Sequence, residues 1–372
     1  MRRRKKGALG NLQLSAFPKE WFYTLGDKIF EMKKLVEHFL ILLLAIFPSV
    51  ALAQIITVTG PIEPEEMGLA LIHEHIMVDW IGADSTGQHR WDRNEIVERA
   101  LPYLKEIKEY GVTTFLDCTP AYLGRDPYVL KKLADRTGIH ILTNTGYYGS
   151  GNNKYIPEGL MNTSAKEMAF HWIREFEHGI DGSGIRPGFI KISVENEEIL
   201  SEIHRNLIEA AGLTHLKTGM AIVSHTGGDS PAMAQIRVLK EMGVSPSAFV
   251  WTHAQNGTMN GYLQAASQGA WISLDNIDGG TSNDTEGTGN IDWFVKTLLE
   301  LKDRGILDHI LISHDAGWYN VGEKNGGYYK GYTDLFTQLI PRLKQNGFTQ
   351  KDIDLVLMEN PKRAYAIHIR KE

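Results

Sequence analysis

Cysteine is almost absent from this sequence. Cys118 is the single one in 372 residues, so no disulfide can form within the chain. A long apolar run is also missing. The longest candidate, residues 39–47, is too short to cross a bilayer. Basic residues are not in excess either: 39 Lys/Arg stand against 45 Asp/Glu. Residues 1–53 hold nine of the basic and four of the acidic residues, so the remaining 319 residues carry 30 and 41, a net charge of −11. That balance disfavours a nucleic-acid binder, which needs a basic face. A zinc-protease motif is absent too. The stretch LIHEHIMVDW begins like H-E-x-x-H but has Met77 where the second histidine belongs.

What is present starts with a processing signal. Lys33 and Lys34 precede the apolar run, and Ala51-Leu52-Ala53 follows it; this is the anatomy of a secretory signal peptide. We therefore expect residues 1–53 to be an N-terminal extension with the signal proper at 32–53. Cleavage near Ala53 would leave 54–372 as a single domain, periplasmic or secreted, with no stable membrane span. A start at Met32 accounts for residues 1–31; an uncleaved membrane anchor is the alternative. No cysteine follows the run to take a lipid.

Beyond residue 54, short apolar segments alternate with helix-like ones. Strands are expected at 68–75, 111–119, 139–146, 187–193, 219–226, 247–254, 270–277 and 309–316. Between them lie amphipathic stretches such as 93–110 and 196–219, the second with Ile199, Leu200, Ile203, Leu207 and Ile208 near a 3.6-residue period. Eight strand–helix units without a compositional break predict an α/β fold, a (β/α)8 TIM barrel, with a doubly wound open sheet as the alternative. Residues 275–290 and 320–331, rich in Gly and Asn, read as long loops after strands seven and eight. Loops at that end of a barrel shape the substrate opening.

Polar residues concentrate at the same strand ends. They are His73 and His75 on the first strand, Lys191 on the fourth, His225 on the fifth, His253 on the sixth and Asp315 on the eighth. Strand alternation turns His73 and His75 to one face and Glu74 to the other, which removes Glu74 as a ligand. His314 should likewise face away from Asp315. Each histidine alone is more often a hydrogen-bonded structural group. Four imidazoles, a carboxylate and a lysine aimed at one space require cations to compensate them. The nitrogen and oxygen donors suit zinc or a related divalent ion. Tyr147, Tyr148 and Trp318 are candidates for the pocket wall.

With these residues in order, the chain resembles the phosphotriesterase family of the amidohydrolase superfamily. The matching pieces are the H-x-H of LIHEH, the lysine of GFIKIS, the histidines of IVSHT and WTHA, the aspartate of ISHDAGW and the closing MENPKRAY. The resemblance implies a binuclear metal centre at the carboxyl ends of the strands. His73, His75 and Asp315 would hold a buried metal, His225 and His253 an exposed one, and a carbon dioxide-derived carbamate on Lys191 would bridge two divalent ions, zinc first among them. It implies hydrolysis by a metal-bridging hydroxide, with Asp315 and Lys191 as catalytic groups and a homodimer as a possible state. The substrate is expected to be a small lactone, with organophosphate triesters or an amide as alternatives and a non-catalytic metal-binding protein as a weaker one. His253 is followed by AQNGT rather than the acidic residues of well-known members, so their pocket roles do not transfer.

Overall fold

In the computed structural model, the residues described are 30–34, 53–279 and 290–372. Residues 30–34 are helical. The signal segment and most of the 275–290 loop lie outside the described residues. Among those residues no helix is long and apolar enough to cross a membrane.

All eight expected strands form, shorter than expected at most ends. They are β1 Leu69–Val78, β2 Val112–Asp117, β3 His140–Leu142 continuing as Asn144–Thr145, β4 Phe189–Ser193, β5 Ile222–His225, β6 Phe249–Thr252, β7 Trp271–Leu274 and β8 Ile310–Ile312. Successive strands pair in parallel from β1 to β3 and from β3 to β8. The ring is completed by backbone hydrogen bonds from Asp315 N to His73 O (3.0 Å) and from His75 N to Ala316 O (2.8 Å). The helices between them are α1 Arg93–Glu109, α2 Pro127–Thr137, α3 Ala165–His178, α4 Glu202–Thr218, α5 Asp229–Glu241, α6 Met259–Ser267 and α7 Ile291–Asp303. After β8, a π turn over Leu335–Leu339 leads into α8, Ile340–Gln345. This is the (β/α)8 order.

Local sequence explains where the helices begin and end. Asp126 caps α2 by accepting from Tyr128 N and Val129 N, Pro127 occupies its first turn, and Gly138 ends it in the left-handed conformation. Ser164 and Glu167 form a reciprocal capping box on α3. One helix departs from expectation. Residues 196–201 are not part of α4, because Ser201 is extended at its N-cap and the Glu197 carboxylate accepts its N–H. Ile199, expected on the buried face, is 86 % exposed, whereas Leu207 and Ile208 are buried as expected.

The core has two layers. Ala70, Ile72, Leu116, Phe189, Val223 and Leu311 pack inside the barrel, where Tyr365 from the C-terminal segment meets Phe189 edge-on. Leu71, Phe115, Ile190 and Trp251 face outward against the helices. Inward positions then continue upward at every second residue, from Leu311 through Ser313 to Asp315 and from Val223 to His225. β1 breaks that rhythm. Its register against β2 slips by one residue between Leu71 and Glu74, a bulge that lets His73 and His75 follow Ile72 into the interior.

Candidate metal centre

All six expected ligand residues line one cavity of about 230 Å³ at the carboxyl ends of the strands, with Tyr148, Trp318, Trp80 and Cys118. The imidazoles are packed together: ring centres are 4.9 Å apart for His73 and His253, and 4.2 Å for His225 and His253. Three non-glycine residues here take left-handed backbone angles, His253 (φ 58°), Asp315 (φ 51°) and Trp318 (φ 74°). Such conformations cost about 1 kcal/mol or more each and collect where geometry serves a site.

Hydrogen bonds decide which imidazole nitrogen faces the cavity. The Thr119 hydroxyl donates its one proton to Met77 O (2.9 Å), so at its 2.8 Å contact with His75 Nδ1 it must accept. His75 therefore carries its proton on Nδ1 and presents the Nε2 lone pair, 3.0 Å from Asp315 Oδ1. Asp275 does the same for two rings at once. Its Oδ2 lies 2.7 Å from His73 Nδ1 and its Oδ1 2.8 Å from His253 Nδ1, which keeps a proton on each Nδ1 and turns each Nε2 to the cavity. Tyr148 OH lies 3.1 Å from His225 Nδ1.

The electrostatics favour neutral His73 and His225 and an ionised Asp315, whereas at His253 the Asp275 carboxylate outweighs burial and raises the imidazole. Burial, helped by the Lys191 ammonium, pushes His73 down to about 4. Burial together with His253 and Lys191 holds His225 well below its ordinary value. Burial alone would raise Asp315, but His73 and the contacts with His75 and His253 outweigh it and hold the carboxyl well below the usual range. Lys191 is 1 % exposed, and its Nζ touches His73 Nε2 at 3.2 Å. Among the described residues no carboxylate lies within ion-pair distance of it. A buried ammonium so placed needs a modification or an anion.

These residues fit a metal. Asp315 Oδ1 is buried yet satisfies no hydrogen bond, while lone pairs of His73 and His75 are turned toward it. The ligand atoms of His73, His75 and Asp315 lie within 4.8 Å of one another. A second such group, His73, His253 and Asp275, is explained by the two hydrogen bonds of Asp275 and need not be a separate metal site.

Glu74 points away from the cavity. Its carboxylate accepts from Ser313 Oγ (2.7 Å), His314 Nδ1 (2.7 Å), His314 N (3.1 Å) and Ala316 N (3.0 Å). It thereby ties the segment carrying Asp315 to the strand carrying His73 and His75. Tyr147 requires a correction. It is buried edge-on against Trp172 of α3 and does not line the cavity, because chain alternation turns it opposite to Tyr148. Lys330 is held by Ile277 O and Asp278. Sequence reasoning missed Asp275 and Thr119. Asp275 follows Trp271 and Ser273 at every second position, so the alternation that picked out Asp315 could have found it.

The chain matches the family model of the phosphotriesterase family over residues 53–365. It is 29% identical over 299 residues to a phosphotriesterase homology protein of Escherichia coli (strain K12), covering 80% of this chain and 98% of that relative. It is 28% identical over 326 residues to an aryldialkylphosphatase of Saccharolobus solfataricus, covering 82% and 97%. An N-acetyltaurine hydrolase of Rattus norvegicus is 26% identical over 342 residues, covering 82% and 96%. Members of the matched family are TIM-barrel hydrolases that depend on a binuclear metal centre. With this fold and this set of converging donors, the chain belongs to the phosphotriesterase family.

Proposed function

We propose that this protein is a metal-dependent hydrolase of small esters, with lactones as its first substrate class. The observation that carries the reading is the buried Lys191, which lacks a carboxylate partner among the described residues and has only an imidazole nitrogen, His73 Nε2 at 3.2 Å, beside its Nζ. In this reading His73, His75 and Asp315 would hold one divalent ion and His225 and His253 another, and a carbamate on Lys191 would supply the anionic ligand that the cluster otherwise lacks. When bound, two divalent cations would acidify water and polarise a carbonyl oxygen. The protein's own part is to hold the donors rigid, keep His73 and His225 neutral and remove a proton. Asp315 suits that last task, being ionised, 22 % exposed along its side chain and therefore within reach of solvent. A cavity of about 230 Å³ suits a small substrate.

Amide hydrolysis is the second reading, favoured by the relatives named N-acetyltaurine hydrolase. Metal-loaded protein assayed against lactones, aryl esters, phosphotriesters and N-acyl amines tests both. The lactones should turn over with the highest kcat/KM; turnover of no member would sink the hydrolase reading.

Asp275 gives a separate test of the ligand assignment. It does not line the cavity but orients His73 and His253, which do. Asp275→Asn should weaken metal retention about 10–100-fold, measured by competition with a chelator. Unchanged retention would remove Asp275 from this role.

A further inference from the structure

The metal cavity has a partition on one side. Trp318 stacks on His75 at 3.8 Å between ring centres, and Trp80 stacks on Trp318 at 5.6 Å. Both indoles line a second, outer cavity of about 500 Å³, together with Tyr328, Glu323, Asp278 and Lys330. The indole N–H groups are already used: Trp318 Nε1 donates to Asp315 O at 3.0 Å, and Trp80 Nε1 to Asn320 Oδ1 at 3.1 Å. Trp318 is stacked on both His75 and Trp80, so what remains for a ligand is the exposed area of the Trp80 and Tyr328 rings. Trp80 is 43 % and Tyr328 70 % exposed, a large apolar area left open at the mouth of a site.

The charges around these faces are unequally satisfied. The Lys330 ammonium is engaged by Ile277 O at 3.2 Å and Asp278 at 3.8 Å. Lys154 is drawn off to the Trp80 carbonyl oxygen and the Tyr155 ring. The Glu323 carboxylate makes no hydrogen bond or ion pair among the described residues, and no lysine or arginine among them lies over Trp80, Trp318 or Tyr328. Uncovered aromatic faces attract a cation through the ring quadrupole, and an unpaired carboxylate beside them adds attraction of the same sign.

We propose that the outer cavity is a subsite for an ammonium group, quaternary or a protonated amine, carried on the tail of the substrate. Its occupant would rest on the Trp80 and Tyr328 rings beside Glu323, while the hydrolysed ring or acyl group sits beyond the tryptophan partition. This assignment rests on the hydrolase reading for the inner cavity but is recognised by different residues. It narrows the substrate class to small esters or lactones bearing a cationic tail.

The test separates the two readings. Metal-loaded full-length protein is titrated with phenyltrimethylammonium, followed by quenching of tryptophan fluorescence, and with tert-butylbenzene as the neutral isostere. The cation should bind saturably, and Glu323→Gln should raise its Kd about tenfold, as should Tyr328→Ala. In parallel, kcat/KM is compared for γ-lactones with a trimethylammonium tail and with a tert-butyl tail, and the cationic preference should fall about tenfold in Glu323→Gln. Equal binding of the neutral isostere, or a Kd unmoved in Glu323→Gln, overturns the subsite. Lactone turnover with no cationic preference also overturns it, while leaving the hydrolase reading standing. Cation binding that depends on Glu323, with no ester turned over, supports the subsite and removes the hydrolase reading.

Discussion

Replacing Asp315 with Asn is expected to lower kcat/KM toward small esters by about 10²–10⁴-fold, the range of a lost general base. The substitution isolates chemistry from folding for a specific reason. Asp315 holds a left-handed backbone angle of φ 51°, and asparagine tolerates that region nearly as well as aspartate. The hydrogen bond from its backbone N to His73 O and the Glu74 contacts on either side of it do not involve its side chain. What changes is the carboxylate. It has no hydrogen bond of its own on Oδ1 and stays ionised because His73, with His75 and His253, outweighs the effect of burial. An amide can neither accept the proton nor balance cationic charge. Steady-state kinetics with metal analysis of the same sample decide the matter. An unchanged rate at unchanged metal content would end the proton-transfer role; a loss of metal with the rate restored by excess metal would make Asp315 a ligand only.

How much of this site could be read in advance depends on how far strand alternation carries. The eight strands are legible because each is a short apolar segment between helical ones, and the site residues because they stand at the polar ends of those segments. Glu74 could be discarded by its position between His73 and His75. Yet the same alternation, carried up from Ala70 and Ile72, would have turned Glu74 inward; only the bulge between Leu71 and Glu74 reconciles the two, and a bulge leaves no mark in composition. Asp275 was hidden for another reason. It opens a run of Asn, Asp and Gly that resembles a loop, and its strand ends at Leu274.

Ile199 and Tyr147 illustrate the opposite error. Ile199 obeys a helical period, but a hydrogen bond from Ser201 N to Glu197 forms a turn before the helix can begin. Local side-chain capture of the backbone outcompetes helix there. Tyr147 and Tyr148 are adjacent and alike in composition, so nothing distinguishes them until the chain direction is known. Trp80 carried no signal either. Its role as a partition arises from stacking on Trp318, 238 positions away in the sequence.

The largest expected effect on stability lies outside the metal cavity. Arg125, in the loop after β2, makes a two-pronged pair with Glu175 of α3, at 2.7 Å from Nη2 to Oε1 and 3.0 Å from Nη1 to Oε2. Thr145 at the end of β3 donates to the same carboxylate, and Arg125 also donates to Asn144 O. Both side chains are about 95 % buried. Glu175→Gln leaves the buried guanidinium with only the exposed Asp181 carboxylate, 3.9 Å away, as counter-charge, and breaking such a pair costs about 3–5 kcal/mol. Exchanging both partners for methionine should cost much less, because no charge is then left buried. Acid titration gives an independent check. Burial by itself would raise the Glu175 carboxyl; Arg125, His171 and Thr145 instead bring it down to about 2 from an ordinary 4.5, worth about 3 kcal/mol at neutral pH. A depressed carboxyl contributes fully above its unfolded value and loses that contribution as pH falls through its folded value. The stability gap between wild type and Glu175→Gln, measured by urea unfolding, should therefore hold steady from pH 8 to 5 and close between about 4.5 and 2. A gap that stayed constant through that window would place the cost in packing rather than in charge.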